Sequence, residues 1–425
     1  MSGRHGRLGG ALVALACFAS FLVTTAAAAA VTGQMLYVAN SGSSSVSVVD
    51  PVSLTVTRTV PVPGGAYAVA TSPDGHRVYV SGLSVSILDT ATNTVVGTIP
   101  LPSPGHSLAL SPNGSRLYVG LQSGSIEVID TATSTVTATI SVGGDVAGMA
   151  LAPTHSLLYA ASQAQVTAVI DTTTNAVVAT IPGCCASRSS SRNVAVSPDG
   201  TRAYVVFGTT SPGFFPGAVQ VVDTATSTVI GRLDVRGSFP QVVALSPDGT
   251  RAYVGDEENL YVVDLTTGTS GTLVKYVPVS GGVFGIAVAA SGSRVFVTSG
   301  TDAMAVIDPI TSSPPTYVTV GSGASRIALG GIASSSPVFD GLRGAADFDG
   351  DGATDLSVYR PSDGMARISY SGGGQATVGA GAPGDARVPA DYTGAGKAQP
   401  AFYRPSTGEW FHTTGPTSVI NWGWP

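Results

Sequence analysis

Short apolar and β-branched runs alternate with turn-forming residues along most of the chain. The landmark of this pattern is an aromatic residue followed by Val or Ala, which recurs at spacings of 39 to 49 residues. It stands at Tyr37-Val38, Tyr79-Val80, Tyr118-Val119, Tyr159-Ala160, Tyr204-Val205, Tyr253-Val254 and Phe296-Val297. After each pair comes an apolar run that ends in Asp, at Asp50, Asp89, Asp130, Asp171, Asp223, Asp264 and Asp308. The chain is therefore predicted to contain seven copies of one β-rich unit.

Each unit is predicted to hold four short strands separated by tight turns. Ser-Pro-Asp-Gly at 72–75, 197–200 and 246–249, with Ser-Pro-Asn-Gly at 111–114, combines Pro for a fixed φ with Gly for a tight turn. Four strands in each unit of this length are typical of a propeller blade. A β-helix has a shorter period, and a sandwich does not repeat. The predicted fold class is all-β, with a seven-bladed β-propeller of four-stranded blades.

One small residue recurs in seven strands, at the same place in each, including the strands before the four turns given above. It is always Ala, at Ala70, Ala109, Ala150, Ala195, Ala244, Ala287 and Ala328. We expect this strand to be the innermost of each blade, where crowding around the axis admits only a small side chain. The first unit lacks such a strand, whereas residues 326–332 supply a seventh at the other end. The sequence therefore predicts a clasp, in which this last strand completes the blade that the N-terminal strand begins.

The motifs YVAN at 37–40 and SVSVVD at 45–50, together with the SPDG turns, resemble the YVTN-repeat seven-bladed β-propellers over residues 34–332. The resemblance implies an exported bacterial protein. Related propellers include lactonases and haem d1 domains. The chain has no C-x-x-C-H motif for covalent haem attachment.

Variable polar residues at the start of the inner strands are the candidate ligand-binding positions. If these strands run alike, one end of the channel is lined by Tyr67, His106, Ala147, Arg192, Gln241, Phe284 and Ser325. Of these, Tyr67, His106, Arg192 and Gln241 carry groups suited to an anionic or sugar-like ligand. Alternatively, they are unconstrained loop residues.

Catalytic motifs are absent from the sequence: it has no H-x-x-x-H pair, nucleophile elbow or Walker loop. No catalytic residue is therefore predicted, and a non-enzymatic protein is favoured. The acidic run 256–258 is expected to be a solvated loop. Cys184 and Cys185 are adjacent, and a bridge between neighbours is strained, so an unbridged loop or an intermolecular bridge is favoured over a redox or soft-metal site.

Composition narrows the class of partner. The 425 residues carry 20 basic and 26 acidic side chains, a net charge of −6, and only 11% are charged. An acidic chain with so few cations is a poor match for phosphate backbones, so no nucleic-acid partner is expected.

The first thirty residues predict an export signal. Arg4 and Arg7 precede an apolar stretch that ends in an Ala run before Ala30, the order of a secretory signal with its cleavage site. A retained anchor is the alternative, but the apolar stretch is short for a membrane span. A lipoprotein signal at Cys17 is disfavoured by the residues around it. We expect a secreted, periplasmic or cell-surface protein with no membrane span after cleavage.

A different repeat follows a linker at 333–343. Its first copy places four carboxylates in an alternating loop with Gly352 at the sixth position, which suits the oxygen coordination of Ca²⁺. The predicted ligands are Asp347, Asp349, Asp351, the backbone carbonyl of Ala353, and Asp355. The twelfth position is Val358, so the loop is not an EF-hand. A solvated acidic turn is the alternative interpretation.

The second copy begins 44 residues later, and its ligand positions read Asp391, Thr393, Ala395 and Gln399, with Lys397 inside the loop. No calcium is expected there. Residues 344–425 resemble FG-GAP/VCBS-type repeats, which implies a small calcium-stabilised β-domain of a surface or adhesion protein. Two blades cannot close a ring, so the region is expected to be either a small β-domain packed on the propeller or the product of a truncated reading frame. Its exposed strand edges predict docking on a partner.

Taken with both resemblances, the expected function is an exported non-enzymatic binding or scaffold protein with a protein or glycan partner at the cell surface. The alternative is a lactonase-like hydrolase with its site at the channel mouth.

Overall fold

A computed structural model of the protein describes residues 34–184, 189–209, 218–233, 235, 239–311 and 313–331, together with seven short strands between 356 and 422. The predicted signal, the linker and the predicted calcium ligands Asp347, Asp349, Asp351, Ala353 and Asp355 lie outside the described residues. Within them, no helix is long and apolar enough to cross a membrane.

The repeats form seven antiparallel four-stranded sheets, so the predicted seven-bladed propeller is confirmed. The strands of blades 1 to 3 are β1 Gln34–Asn40, β2 Ser45–Asp50, β3 Thr55–Pro61, β4 Ala68–Thr71, β5 Arg77–Ser81, β6 Ser84–Asp89, β7 Thr94–Pro100, β8 Gly105–Leu110, β9 Arg116–Leu121, β10 Ser125–Asp130 and β11 Thr135–Ser141. Blades 4 and 5 contain β12 Val146–Leu151, β13 Leu157–Ser162, β14 Val166–Asp171, β15 Ala176–Pro182, β16 Ser189–Val196, β17 Arg202–Thr209, β18 Ala218–Asp223 and β19 Thr228–Leu233. Blades 6 and 7 contain β20 Val242–Leu245, β21 Arg251–Gly255, β22 Asn259–Asp264, β23 Thr272–Pro278, β24 Gly285–Val288, β25 Val295–Thr298, β26 Ala303–Ile307 and β27 Thr316–Thr319, and β28 Ala324–Gly331 completes blade 1.

The ring closes through the predicted clasp. Strand β28 pairs antiparallel with β1 in the sheet order β28-β1-β2-β3, with Tyr37 opposite Ala328 and Val38 opposite Ile327. The innermost strands then contact one another in sequence around the ring, β4 to β8, β12, β16, β20, β24, β28 and back to β4. Both ends of the propeller therefore share one sheet, which leaves no blade incomplete.

The recurring Ala residues have a partner that the sequence interpretation did not identify. In all seven blades the Ala of the innermost strand lies directly opposite the buried aromatic residue of the second strand, as in the pairs Ala70–Tyr79 and Ala287–Phe296. The rings fill the interfaces between blades, within clusters of buried Val, Leu and Ile. A small residue opposite each ring leaves room for it, a reason beyond crowding at the axis.

The turns use the predicted chemistry. Each strand-terminal Asp accepts hydrogen bonds from backbone amides two or three residues ahead, for example Asp50 from Val52 at 2.7 Å and Asp130 from Thr133 at 2.8 Å. The Thr133 amide holds the pKa of Asp130 below its ordinary value. In the SPDG turns Gly75 has φ of +73°, a conformation that glycine adopts without strain.

At the end of the propeller that carries these turns, arginine side chains form hydrogen bonds between neighbouring blades. Arg116 of blade 3 donates to the carbonyl of Thr172 in blade 4 at 2.6 Å. Arg294 of blade 7 donates to the carbonyl of Pro51 in blade 1 at 2.7 Å, across the closure of the ring. Both hydrogen bonds have a neutral backbone carbonyl as acceptor and do not involve a carboxylate.

Two further antiparallel sheets lie in the C-terminal region. The first contains β29 Leu356–Arg360, β30 Met365–Ser369 and β31 Gln375–Gly379, and the second contains β32 Ala386–Arg387, β33 Ala401–Arg404, β34 Glu409–Gly415 and β35 Ser418–Trp422. Strands β29 and β33 end at Arg360 and Arg404, which are equivalent positions of the 44-residue repeat.

Candidate functional site

One end of the central channel is formed by the starts of the seven innermost strands. We call this ring the channel mouth, and its residues are Tyr67, His106, Ala147, Arg192, Gln241, Phe284 and Ser325. Tyr67, Gln241 and Phe284 immediately precede β4, β20 and β24. His106, Ala147 and Ser325 are the second residues of β8, β12 and β28, and Arg192 is the fourth residue of β16. The four predicted ligand-binding residues, Tyr67, His106, Arg192 and Gln241, are thus all at this end, and they fall into two pairs of neighbours.

Tyr67 and His106 form the first pair. Their rings meet edge to face with centroids 5.5 Å apart. His106 Nδ1 lies 2.9 and 3.0 Å from the two carboxylate oxygens of Asp145, which also accepts a hydrogen bond from Gln163 Nε2 at 3.0 Å. The carboxylate holds the proton of His106 on Nδ1, so Nε2 of the neutral ring is an acceptor.

Arg192 and Gln241 form the second pair. One terminal nitrogen of Arg192 donates to Gln241 Oε1 at 2.8 Å, which joins blade 5 to blade 6. The Arg192 side chain lies over Gly208, where a Cβ would come within 2.4 Å of Nε. Its buried Nε has no hydrogen-bond partner among the described residues, and burial lowers the pKa of Arg192 while nearby Glu257 opposes this shift.

Tyr67, Phe284 and Ser325 add exposed ring surface and hydroxyl contacts to the mouth. Tyr67 and Phe284 are each 38% exposed, whereas the aromatic residues of the seven repeated pairs are buried. Ser325 Oγ lies 3.1 Å from the carbonyl of Ala39 and 3.2 Å from that of Tyr67. The mouth therefore presents two aromatic faces beside polar groups that the fold already orients.

The structure adds three residues that the sequence interpretation did not select. Asp145 reaches His106 from a loop of blade 4, Gln163 of the same blade donates to Asp145, and Arg326 follows Ser325 in the clasp strand. Arg326 could have been selected from the sequence, because the equivalent positions of the other innermost strands hold uncharged residues. Asp145 and Gln163 carried no comparable signal, since loop residues vary in every repeat.

The acidic run at 256–258 is solvated as predicted at Glu257 and Glu258, but not at Asp256. Asp256 is buried, and its carboxylate accepts from the amides of Glu258 and Asn259 and from the Tyr261 hydroxyl. It caps its own turn because an unpaired buried carboxylate is costly. Cys184 is disulfide-bonded, and the chain's other cysteines, Cys17 and Cys185, lie outside the described residues. Among described residues, no three His, Cys, Asp or Glu side chains gather as metal ligands.

Clefts also occur at the opposite end of the blades. One of about 280 Å³ is lined by Asp199, Arg202, Tyr204 and Asp248. The aspartates there already accept hydrogen bonds within their own turns, Asp199 from Thr201 and Asp248 from Thr250. These are framework positions repeated from blade to blade, so we assign the candidate site to the mouth.

Comparison with known proteins supports the architecture. No protein-family model matches the chain, and no curated protein sequence matches it. Among solved structures, it is similar to Kuenenia stuttgartiensis hydrazine synthase, with a TM-score of 0.57 and 20% identity, over 75% of this chain and 96% of that one. It is also similar to a functionally unknown protein from Desulfotomaculum acetoxidans, with a TM-score of 0.60 and 15% identity, over 70% of this chain and 99% of the other. At these identities the similarity concerns the fold alone.

Proposed function

We propose that this chain is an exported, non-enzymatic binding protein that holds a polar ligand at the channel mouth. The proposal places it in the YVTN-repeat group, with FG-GAP/VCBS-type repeats following the propeller, and at the cell surface or outside the cell. Its partner there is a glycan or a protein. The secretory pattern of residues 1–30 and the repeat motifs support this location.

The observation that carries the proposal is the juxtaposition of exposed rings and fixed polar groups at the mouth. Tyr67 and Phe284 expose ring surface, while His106 is held by Asp145 and Arg192 by Gln241. Ligand sites commonly combine apolar walls with a few oriented polar groups. Sugar rings have this dual character, with C–H faces for the aromatics and hydroxyls for the amide and guanidinium. Groups already held in place lose little entropy on binding.

A thermal-shift panel of monosaccharides, uronic acids, lactones and organic acids tests the mouth. A ligand that binds only the folded state stabilises it by about 2.7 kcal/mol at a hundred times its Kd. We expect at least one sugar or acid to raise Tm, and Arg192→Ala to remove that shift. Arg58→Ala is the control, because Arg58 is an exposed residue of the outer strand β3. A shift that survives Arg192→Ala contradicts a site at the mouth.

We further propose that Asp347, Asp349, Asp351, Asp355 and the carbonyl of Ala353 bind one Ca²⁺. Calorimetric titration of the whole chain is expected to find one site, and EGTA is expected to lower Tm. Asp347→Asn should weaken binding at least about tenfold, since even outer-shell changes cost about 10–100-fold. Asp391→Asn is the matched control, because Asp391 holds the same position in the second repeat copy. Equal effects of the two variants contradict the assigned loop.

A lactonase-like hydrolase is the second candidate, and the His106–Asp145 pair is the observation that favours it. A carboxylate on Nδ1 leaves Nε2 to accept a proton from water attacking a carbonyl. The same panel separates the two functions, because a hydrolase consumes the lactone. In that case His106→Ala should lower kcat by about 10²–10⁴-fold, the usual contribution of a general base.

A further inference from the structure

Arg326 occupies a position that holds an uncharged side chain in every other blade. The equivalent residues of the other innermost strands are Ala68, Ser107, Gly148, Asn193, Val242 and Gly285. Most of these are small, and they make the close contacts between neighbouring inner strands. A Cβ on Gly285, for example, would lie 3.0 Å from the Arg326 Cα. A long cation at this point of the ring has no room between strands and extends into the channel.

The Arg326 side chain spans that channel. One terminal nitrogen donates to the carbonyl of Phe284 in blade 7, and the other lies 3.4 Å from the carbonyl of Ala147 in blade 4. Blade 7 is the neighbour of blade 1, which carries Arg326, whereas blade 4 lies on the far side of the ring. The guanidinium is thus held across the axis by the backbone carbonyls of two mouth residues, Phe284 and Ala147.

This cation lacks a counter-ion among the described residues. Among the described residues, the one ion pair within 4.0 Å is His106 with Asp145, and no carboxylate lies that close to Arg326. The two carbonyls use two of the five N–H donors of a guanidinium. Burial lowers the pKa of Arg326. An arginine nevertheless remains charged, and a partly buried charge without a counter-ion is unfavourable.

We propose that Arg326 binds the carboxylate of a small-molecule ligand that enters the channel through the mouth. The inference rests on the proposed function, because it names the chemical class of ligand held there. The planar fork of a guanidinium matches a carboxylate in a bidentate arrangement, and an anionic ligand supplies the counter-charge that Arg326 lacks among the described residues. The body of the ligand then lies between Tyr67 and Phe284, beside His106. Uronic sugars and short organic acids both carry the required group.

Three probes at constant ionic strength test the inference by calorimetry and thermal shift: galacturonate, malonate and neutral galactose. The variant is Arg326→Gln, and Arg58→Gln provides the same change of charge on an exposed outer strand. We expect an acid to bind wild type and Arg58→Gln equally, and Arg326→Gln to bind it about ten- to hundredfold more weakly, the range for a charged hydrogen bond. Binding of galacturonate but not of malonate indicates that the ligand is a uronic sugar, and binding of malonate alone indicates that it is an organic acid.

A second measurement separates ligand binding from a bracing role. Without ligand, Arg326→Gln should melt at or above the wild-type temperature, because it removes an uncompensated charge. A large fall in its Tm, with no response of wild type to either acid, means that Arg326 is only a brace and overturns the inference. If Arg326→Gln does not fold, Arg326→Lys retains the charge without the fork, and binding of the acid should be weaker but measurable.

The remaining outcomes distinguish this inference from the proposed function. Equal affinity of wild type and Arg326→Gln for the acids overturns the inference. If galactose binds and Arg192→Ala abolishes its binding, the mouth is a ligand site and the carboxylate assignment alone fails. If neither sugar nor acid binds wild type, both fail.

Discussion

A chain that ends at Gly323 is expected to lose the cooperative unfolding transition of the propeller, whereas a chain that ends at Gly331 retains it. The eight residues between these ends form β28, which pairs with β1 and contacts β4 and β24 on either side. Removing them leaves β1 as an open edge and exposes the apolar surface around Leu36 and Val38. Burying one such side chain contributes about 1.5–3 kcal/mol, and a whole domain is stable by only about 5–15 kcal/mol.

The comparison of the two truncated chains isolates the clasp, because both lack everything after Gly331. Near-ultraviolet circular dichroism and calorimetry on each provide the measurement. Melting temperatures within about 2 °C of each other would show that the other six blades hold the ring without β28, since 1 kcal/mol shifts Tm by about 2–4 °C in a protein of 150–250 residues.

Tyr37→Phe is expected to make the protein more resistant to alkaline unfolding. Tyr37 is 1% exposed, its hydroxyl has no hydrogen-bond partner among the described residues, and burial raises its pKa to about 12, with a smaller contribution from the charge of Asp89. In the unfolded chain the hydroxyl ionises near pH 10. Between these values the unfolded state has released its proton and the folded state has not, so stability is present below pH 10 and is lost as pH rises toward 12.

The lost stability amounts to about 2–3 kcal/mol, since each pKa unit corresponds to about 1.36 kcal/mol. Phe lacks this ionisation, and Phe296 already fills the equivalent position of blade 7. Urea titrations at pH 7 and pH 11.5 measure the effect, and the pH 7 pair is the control because Tyr37 is neutral there in both states. Parallel losses of stability in wild type and variant at high pH would contradict the assignment.

The blades were predictable because their determinants are local. Alternating apolar residues, Pro and Gly in the turns and an Asp at each strand end act within a few residues of one another, and seven copies repeat them. The clasp was also predictable, since a ring of complete blades has to use the unpaired strand at 326–332, which the structure places at β28 Ala324–Gly331. The predicted calcium loop lies outside the described residues and stays a prediction.

The composition of the mouth was predictable only in part. The positions of Tyr67, His106, Arg192 and Gln241 could be predicted from the repeat, because equivalent residues of a repeat occupy equivalent places. The residues that they contact could not be predicted in this way. Asp145 lies 39 residues from His106, and Ala147 lies 179 residues from Arg326. No pattern of neighbouring residues reports a contact across a closed ring.

The burial of Asp256 illustrates the same limit. Three consecutive acidic residues read as a solvated loop, but the turn places one carboxylate against two amides and the Tyr261 hydroxyl while its neighbours remain exposed. Local sequence thus determined the number of blades, their strands and the turns between them, because hydrogen bonding and side-chain alternation along a strand depend on near neighbours. Closure of the ring decided which side chains meet at the axis, where Arg326 crosses between blades, because those distances are set only when all seven sheets pack together.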